Sequence, residues 1–244
     1  MPPDEFYADA LTDRSLEVVT ELLAKVPEAI LIGGWATWRR TGALKSHDID
    51  VLVDQAAKDQ ILGMCDESSQ SGHVGGRKWR GTLHGIHVDL YVPYQSVLGQ
   101  RLQLRTEHLL GHTEMVDGWR LLDRPAHVTT KLAALLDRPD SLPGEKDRRE
   151  VLSLIQDGAR AADVCKVLVE ASDRPAADLD ALVAEGVGYL KETVKARQDR
   201  TFLDGWLAKA HEVLGDDTSG PPPPGALTFP RRVGRRRGPK PPGG

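Results

Sequence analysis

Cysteine and aromatic residues are scarce in this sequence, and acidic residues are missing from its end. Only Cys65 and Cys165 occur in 244 residues, far apart and each inside an apolar helical pattern. That excludes a disulfide framework and offers no thiolate metal site, so both read as buried reduced thiols. No apolar run approaches the roughly 18 residues that span a bilayer, and no membrane partner is expected. The opening stretch MPPDEFYADALTDR lacks the basic and apolar regions of a secretory signal and is too acidic for a transit peptide. A cytoplasmic location is the expectation. No internal repeat is visible. After Asp217 there is no acidic residue, while Arg231, Arg232, Arg235, Arg236, Arg237 and Lys240 follow it. The net charge of −4 therefore hides a body more acidic than the whole and a basic end.

What is present is an ordinary globular composition, 40% hydrophobic and 28% charged, on a chain long enough to bury roughly 70% of its unfolded surface. Leu16, Val19, Leu22, Leu23 and Val26 recur at helical spacing behind Thr12 or Asp13, which predicts a capped helix over 13–26. Ala29 to Ile32 reads as a strand running into Gly33-Gly34. A short helix over 35–40, a strand over 48–53 and a helix over 55–65 follow. Gly-marked turns and the alternation of Ile86, Val88, Leu90 and Val92 predict a hairpin within 76–92 whose last strand carries Asp89. Another strand is expected at 119–122. Pro125 suits the first turn of a helix reaching Asp137, with Val128, Leu132, Leu135 and Leu136 as its stripe. Helices are then expected at 146–157, 161–171, 177–197 and 200–214.

The pattern is mixed in front and helical behind. It predicts an α+β chain: a small mixed sheet flanked by helices in a first domain at 1–124, a helical domain at 125–215 contributing to the cleft, and a tail at 216–244. The Pro, Gly and Arg of that tail have nothing to bury, so disorder is expected there. Its cations could bind nucleic acid or merely solubilise the chain end.

The informative segment is LIGGWATWRRTGALKSHDIDVLVD. Asp48 and Asp50 are two apart at the start of a strand, so their side chains emerge on one face, roughly 7 Å apart at Cα. Both can reach one pair of metal ions. Two-metal phosphoryl chemistry needs carboxylates clustered around ions about 3.5–4 Å apart, and a third carboxylate is normally required. Asp89 is the candidate, because a charge between Val88 and Leu90 on a strand needs a partner. The bland alternative is an ion pair with Arg80. In phosphatases and glycosyltransferases the apolar strand precedes the D-x-D pair; in this chain Val51-Leu52-Val53 follows it, while the other strand feeds Gly33-Gly34. That turn lets backbone N–H groups approach phosphates at a helix start.

These residues resemble the nucleotidyltransferases of the polymerase-beta superfamily: a Gly-Gly or Gly-Ser turn, then apolar-Asp-x-Asp on a strand, then a lone Asp on a later strand. The resemblance implies that Gly33 and Gly34 bind phosphates, that Asp48, Asp50 and Asp89 hold two magnesium ions (or manganese), and that Asp89 helps to activate the acceptor hydroxyl. The family's second turn residue is often Ser; Gly34 lacks that hydroxyl, which Ser46 could supply. HVTTKLAALLDRP and GEKDRREVLSLI are similar to later motifs of AbiE-type toxin nucleotidyltransferases, and place Lys131 and Lys146-Asp147 at the nucleotide. Arg39, Arg40 and Lys45 beside the turn, with Lys131 opposite, are expected to contact the triphosphate and the acceptor.

The resemblance implies transfer of a nucleotide from a nucleoside triphosphate to RNA, tRNA foremost, with a cognate antitoxin as partner. Gly-Gly-Trp-Ala also occurs in aminoglycoside and lincosamide nucleotidyltransferases, which leaves antibiotic modification as the rival, and a non-catalytic binding module as a third reading. His84 and His87 beside Asp89 could ligate a transition metal instead. Trp35 and Trp38 could stack a base or simply pack in the core.

Overall fold

A computed structural model describes residues 7–73 and 76–216 of the chain. The expected disorder of the basic tail lies outside the described residues, which close at Asp216.

The first helix, α1 (Asp9–Lys25), packs Val18, Val19, Leu22 and Leu23 inward. It starts a turn earlier than its apolar spacing suggests. Thr12 is not its cap: the Thr12 hydroxyl donates back to the carbonyl of Asp9, 3.0 Å away, from inside the helix. Strand β1 (Ile30–Ile32) runs directly into α2 (Gly33–Thr41), which ends on Gly42 in the left-handed region. Strand β2 (Ile49–Leu52) leads to α3 (Gln55–Met64), whose first turn is capped by the Asp54 carboxylate accepting from the Ala57 N–H. Three antiparallel strands follow, β3 (Glu67–His73), β4 (Gly76–Leu83) and β5 (Ile86–Tyr91). Of these β3 was not expected, because Glu-Ser-Ser-Gln shows no apolar alternation. It lies at the edge of the sheet, where pairing with β4 rather than side-chain burial holds it.

Two short strands, β6 (Val97–Leu98) and β7 (Leu104–Arg105), pair separately, and the hairpin of β8 (Thr113–Val116) and β9 (Trp119–Leu122) rejoins the main sheet. Helices α4 (Arg124–Asp137), α5 (Leu142–Gln156), α6 (Ala161–Ala171), α7 (Ala176–Thr193) and α8 (Arg197–Asp216) complete the described residues. Helix α5 begins four residues before the expected 146, because Ser141 caps it by accepting from the Gly144 N–H and Pro143 fits its first turn. Lys146 and Asp147 therefore sit inside the helix, not at its start.

The protein is a mixed α+β fold. The seven strands run in the order β3-β4-β5-β2-β1-β9-β8, with β2 parallel to β5 and antiparallel to β1. Strand periodicity divides the core between the two faces. Leu31, Ile49, Val51, Val88 and Leu90 point toward α1, together with Trp35 and Trp79. Ile30, Ile32 and Leu52 point the other way, into a core shared with α4 to α8. Asp48 and Asp50 are in phase with Leu52, and Asp89 is out of phase with Val88 and Leu90. All three acids thus face the side on which α4 and α5 pack.

Candidate active site

The carboxylates come together because β2 and β5 are parallel neighbours, with Asp50 paired to Asp89 across the ladder. Asp50 also abuts the start of α2. Gly33 has φ +72°, and a Cβ built there would overlap the Asp50 carboxylate, so only glycine lets the chain turn from β1 into α2 this close to the acid. Burial and the charges of Asp48 and Asp89 push the Asp50 carboxyl up to about 7. Burial works the same way on Asp48, but His47, Lys146, the Ser46 hydroxyl and Lys131 together outweigh it and hold that carboxyl below its usual range.

Asp89 is only 3% exposed and is doubly engaged from β4. Arg80 grips it with Nε and Nη2 at 2.6 and 2.8 Å, and Lys78 forms a second ion pair with it. The Arg80 pairing considered from sequence is therefore present, and a second cation accompanies it.

From the opposite side α4 and α5 deliver a buried charged cluster. Lys131 lies 2.6 Å from Glu150 Oε2 and 3.6 Å from Asp147, which also accepts from Arg138 Nε at 2.7 Å. The Lys131–Glu150 contact is an ion pair without hydrogen-bond alignment at the Glu150 oxygens. Burial alone would lower the Lys131 ammonium, but Glu150 and Asp147 raise it above its ordinary value. Lys146 is held down by burial, with Lys131 adding to the effect. It donates to Ser46 Oγ at 3.1 Å, and Ser46 in turn donates to Asp48 at 3.0 Å. A lysine of α5, a serine before β2 and a strand carboxylate thus form one chain of hydrogen bonds. A Cβ at Gly34 would lie 2.5 Å from Ser46 Oγ and 2.9 Å from Lys146 Nζ. The Ser46 hydroxyl occupies the place that a side chain at position 34 would need.

The amides at the start of α2 have no side-chain cap from Ile32, leaving donors of the kind that bind phosphate. The Gly33 carbonyl accepts from Thr37 Oγ1 and from His127 Nε2. Tyr7 lies over the same corner, its ring centroid 3.9 Å from that of His47 and 5.0 Å from Lys146 Nζ.

Gly33, Gly34, Ser46, Asp48, Asp50, Asp89, Lys131, Lys146 and Asp147 thus gather around one corner of the sheet. Lys45 pairs with Asp13 of α1 at 2.8 Å. Arg39 and Arg40, expected to face the triphosphate and the acceptor, turn to the β8–β9 hairpin instead. Arg39 lies against Asp117 and over Trp119, while Arg40 pairs with Glu114 and donates to the Leu122 carbonyl. Their position at the end of α2, beyond the turn, decides this. Trp35 is core, its indole N–H donating to buried Ser15. His84 and His87 are exposed and separately engaged, near Glu21 and Thr82.

Sequence reasoning missed Glu150, Arg138, Lys78, His127 and Tyr7. Glu150 alone left a signal, an acid one helical turn after Lys146 and one before Leu154, on the buried stripe.

Among the described residues, no three His, Cys, Asp or Glu side chains converge as a ready metal cage. Asp48 and Asp50 nevertheless offer the hard oxygen donors that suit magnesium, which is usually held by one or two carboxylates plus substrate phosphates.

No family model and no curated protein matches the chain. Among solved structures it is similar to an antigenic nucleotidyltransferase-like protein from Paracoccidioides brasiliensis, at 14% identity over 82% of this chain and 94% of that one, with a TM-score of 0.44. It is also similar to JHP933 from Helicobacter pylori, at 13% identity over 86% of this chain and 95% of that one, with a TM-score of 0.43.

Proposed function

We propose that the chain is a magnesium-dependent nucleotidyltransferase that moves a nucleotide from a nucleoside triphosphate to RNA, with tRNA the foremost acceptor, as the toxin of a toxin–antitoxin pair. The observation that carries the chemistry is the placing of three aspartates on one face of neighbouring parallel strands, against a glycine turn too close to Asp50 to admit a side chain. Asp48 and Asp50 would hold magnesium, which supplies charge neutralisation at the triphosphate. The uncapped amides of α2, the Ser46 hydroxyl and Lys146 line the phosphate side, and Lys131 is buried behind them on its acid partners. Transfer forms a bond between an acceptor hydroxyl oxygen and the α-phosphorus, and breaks the bond from that phosphorus to the oxygen bridging it to the β-phosphate. Pyrophosphate leaves. Asp89, once freed from its β4 cations, would draw the acceptor proton.

Support for a polyanionic acceptor comes from β4. Lys78 and Arg80 pair there with Asp89, and the Arg80 side chain stays half-exposed, a cation at the rim of the site that suits RNA better than a cationic aminoglycoside. The experiment offers total tRNA, and separately an aminoglycoside and lincosamide panel, with each labelled triphosphate and magnesium. Label on tRNA with pyrophosphate release, absent in Asp48→Asn, is expected. Label on an antibiotic alone would replace the acceptor, and label on neither would reject the transferase.

A further inference from the structure

Helix α2 opens on two glycines, the residue that loses most conformational freedom on ordering. Gly33 has φ +72°, and Ile32 before it provides no cap, so little in the local sequence holds this first turn in place. Its first carbonyl is tied down both from within α2 and from α4. The Gly33 carbonyl accepts from Thr37 Oγ1 at 3.1 Å, and His127 Nε2 lies 3.2 Å from the same oxygen and 3.1 Å from that hydroxyl. His127 comes from α4, one helical turn before Lys131, and is fully buried.

A carbonyl oxygen can only accept, so Nε2 carries the ring proton; Nδ1, also buried, has no hydrogen-bond partner among the described residues. Burial, with the charges of Lys131 and Arg40, holds the imidazole down to about 3. The ring is a neutral donor at every pH at which the protein would work. Its direction matters because the Gly33 carbonyl and the Gly34 N–H belong to one trans peptide and point in opposite directions. Anchoring the carbonyl toward α4 leaves the Gly34 N–H pointing out of the start of the helix, beside Ser46 and Lys146.

We propose that His127 is a positioning residue: through the Gly33 carbonyl, its Nε2–H aims the Gly34 amide at the phosphates of the bound triphosphate. The role rests on the nucleotidyltransferase reading above and adds to it a residue that touches neither substrate nor metal.

The test uses magnesium tripolyphosphate, which carries no base and needs no acceptor, titrated calorimetrically into the full chain. His127→Phe keeps a ring but no donor, and is expected to weaken binding roughly tenfold, the scale of one hydrogen bond to a charged group. His127→Gln returns an N–H near the position of Nε2 and is expected to recover most of the loss. The amide resonance of Gly34 should shift on ligand addition in wild type and His127→Gln, but not in His127→Phe. If His127→Phe does not fold, Thr37→Val removes the other side-chain donor to the same carbonyl and should weaken binding in the same direction. Wild-type affinity in the Phe variant, or a Gln variant as weak as Phe, overturns the role alone. A wild-type chain that binds no tripolyphosphate overturns the nucleotidyltransferase reading and this role with it.

Discussion

Asp50 is the residue on which stability and chemistry pull in opposite directions. Its carboxyl, pushed up to about 7 by burial and by Asp48 and Asp89, has a folded value above its unfolded one. Its favourable contribution is therefore complete below the ordinary aspartate range and is lost as the pH rises through 7. Without magnesium, Asp50→Asn is expected to melt at least about 3 °C above wild type at pH 8, the shift of ~1 kcal/mol in a chain of this size. The two should converge near pH 4. Magnesium should raise the wild-type midpoint and leave that of Asp50→Asn in place, while transfer is abolished in the variant. A variant that melts below wild type at pH 8 would contradict the crowding of the three acids. Asp48, Asp50 and Asp89 were legible in the sequence because strand phase is local: two residues apart means one face. The partners of Asp89 were half legible, Arg80 by proximity and Lys78 not at all, because cross-strand neighbours depend on a register that β4 and β5 fix only in the fold.

At the scale of elements, the informative one is α2, whose glycine start and neighbouring serine behave as one unit. A side chain at position 34 meets Ser46 Oγ and Lys146 Nζ, so Gly34→Ser is expected to lower triphosphate affinity at least roughly tenfold. Ser46→Gly should also weaken binding, by removing a hydroxyl that links Lys146 to Asp48. The double variant Gly34→Ser with Ser46→Gly moves the hydroxyl from the loop before β2 to the start of α2 while relieving the overlap, and should bind better than either single change. A double variant whose losses simply add, measured by the same titration, would show that the two positions are independent. Most helices were legible from their apolar stripes, and α6 was read to its ends. The start of α5 was not, since Ser141 and Pro143 stand in what reads as a loop. Edge strand β3 and the short β6, β7 and β8 were missed because backbone pairing, not an apolar pattern, defines them. The turning of Arg39 and Arg40 toward the β8–β9 hairpin has the same origin: half of that hairpin was invisible in the sequence.

Over the whole molecule, the sheet carries one core on each face, and the candidate site lies where the helical core meets the ends of β2 and β5. Its two sides come from distant parts of the chain: the bond from Lys146 to Ser46 joins residues 100 positions apart. This separation also gives the site a place in time. A ribosome adding roughly 5–20 residues per second completes Asp48 and Asp50 about 5–20 s, and Asp89 about 3–12 s, before the lysine and glutamate of α5 that face them. Until α5 emerges and docks, the nascent chain has its acids and its glycine turn but no cation on the Ser46 hydroxyl. Stalled chains ending before Leu142 are expected to incorporate no label from a triphosphate, whereas the released protein does; incorporation by the stalled chains would show that β1 to β9 and α4 suffice. On the proposed nucleotidyltransferase reading, the site would then stay silent until α5 has been made and has docked, with the helices after it still to come.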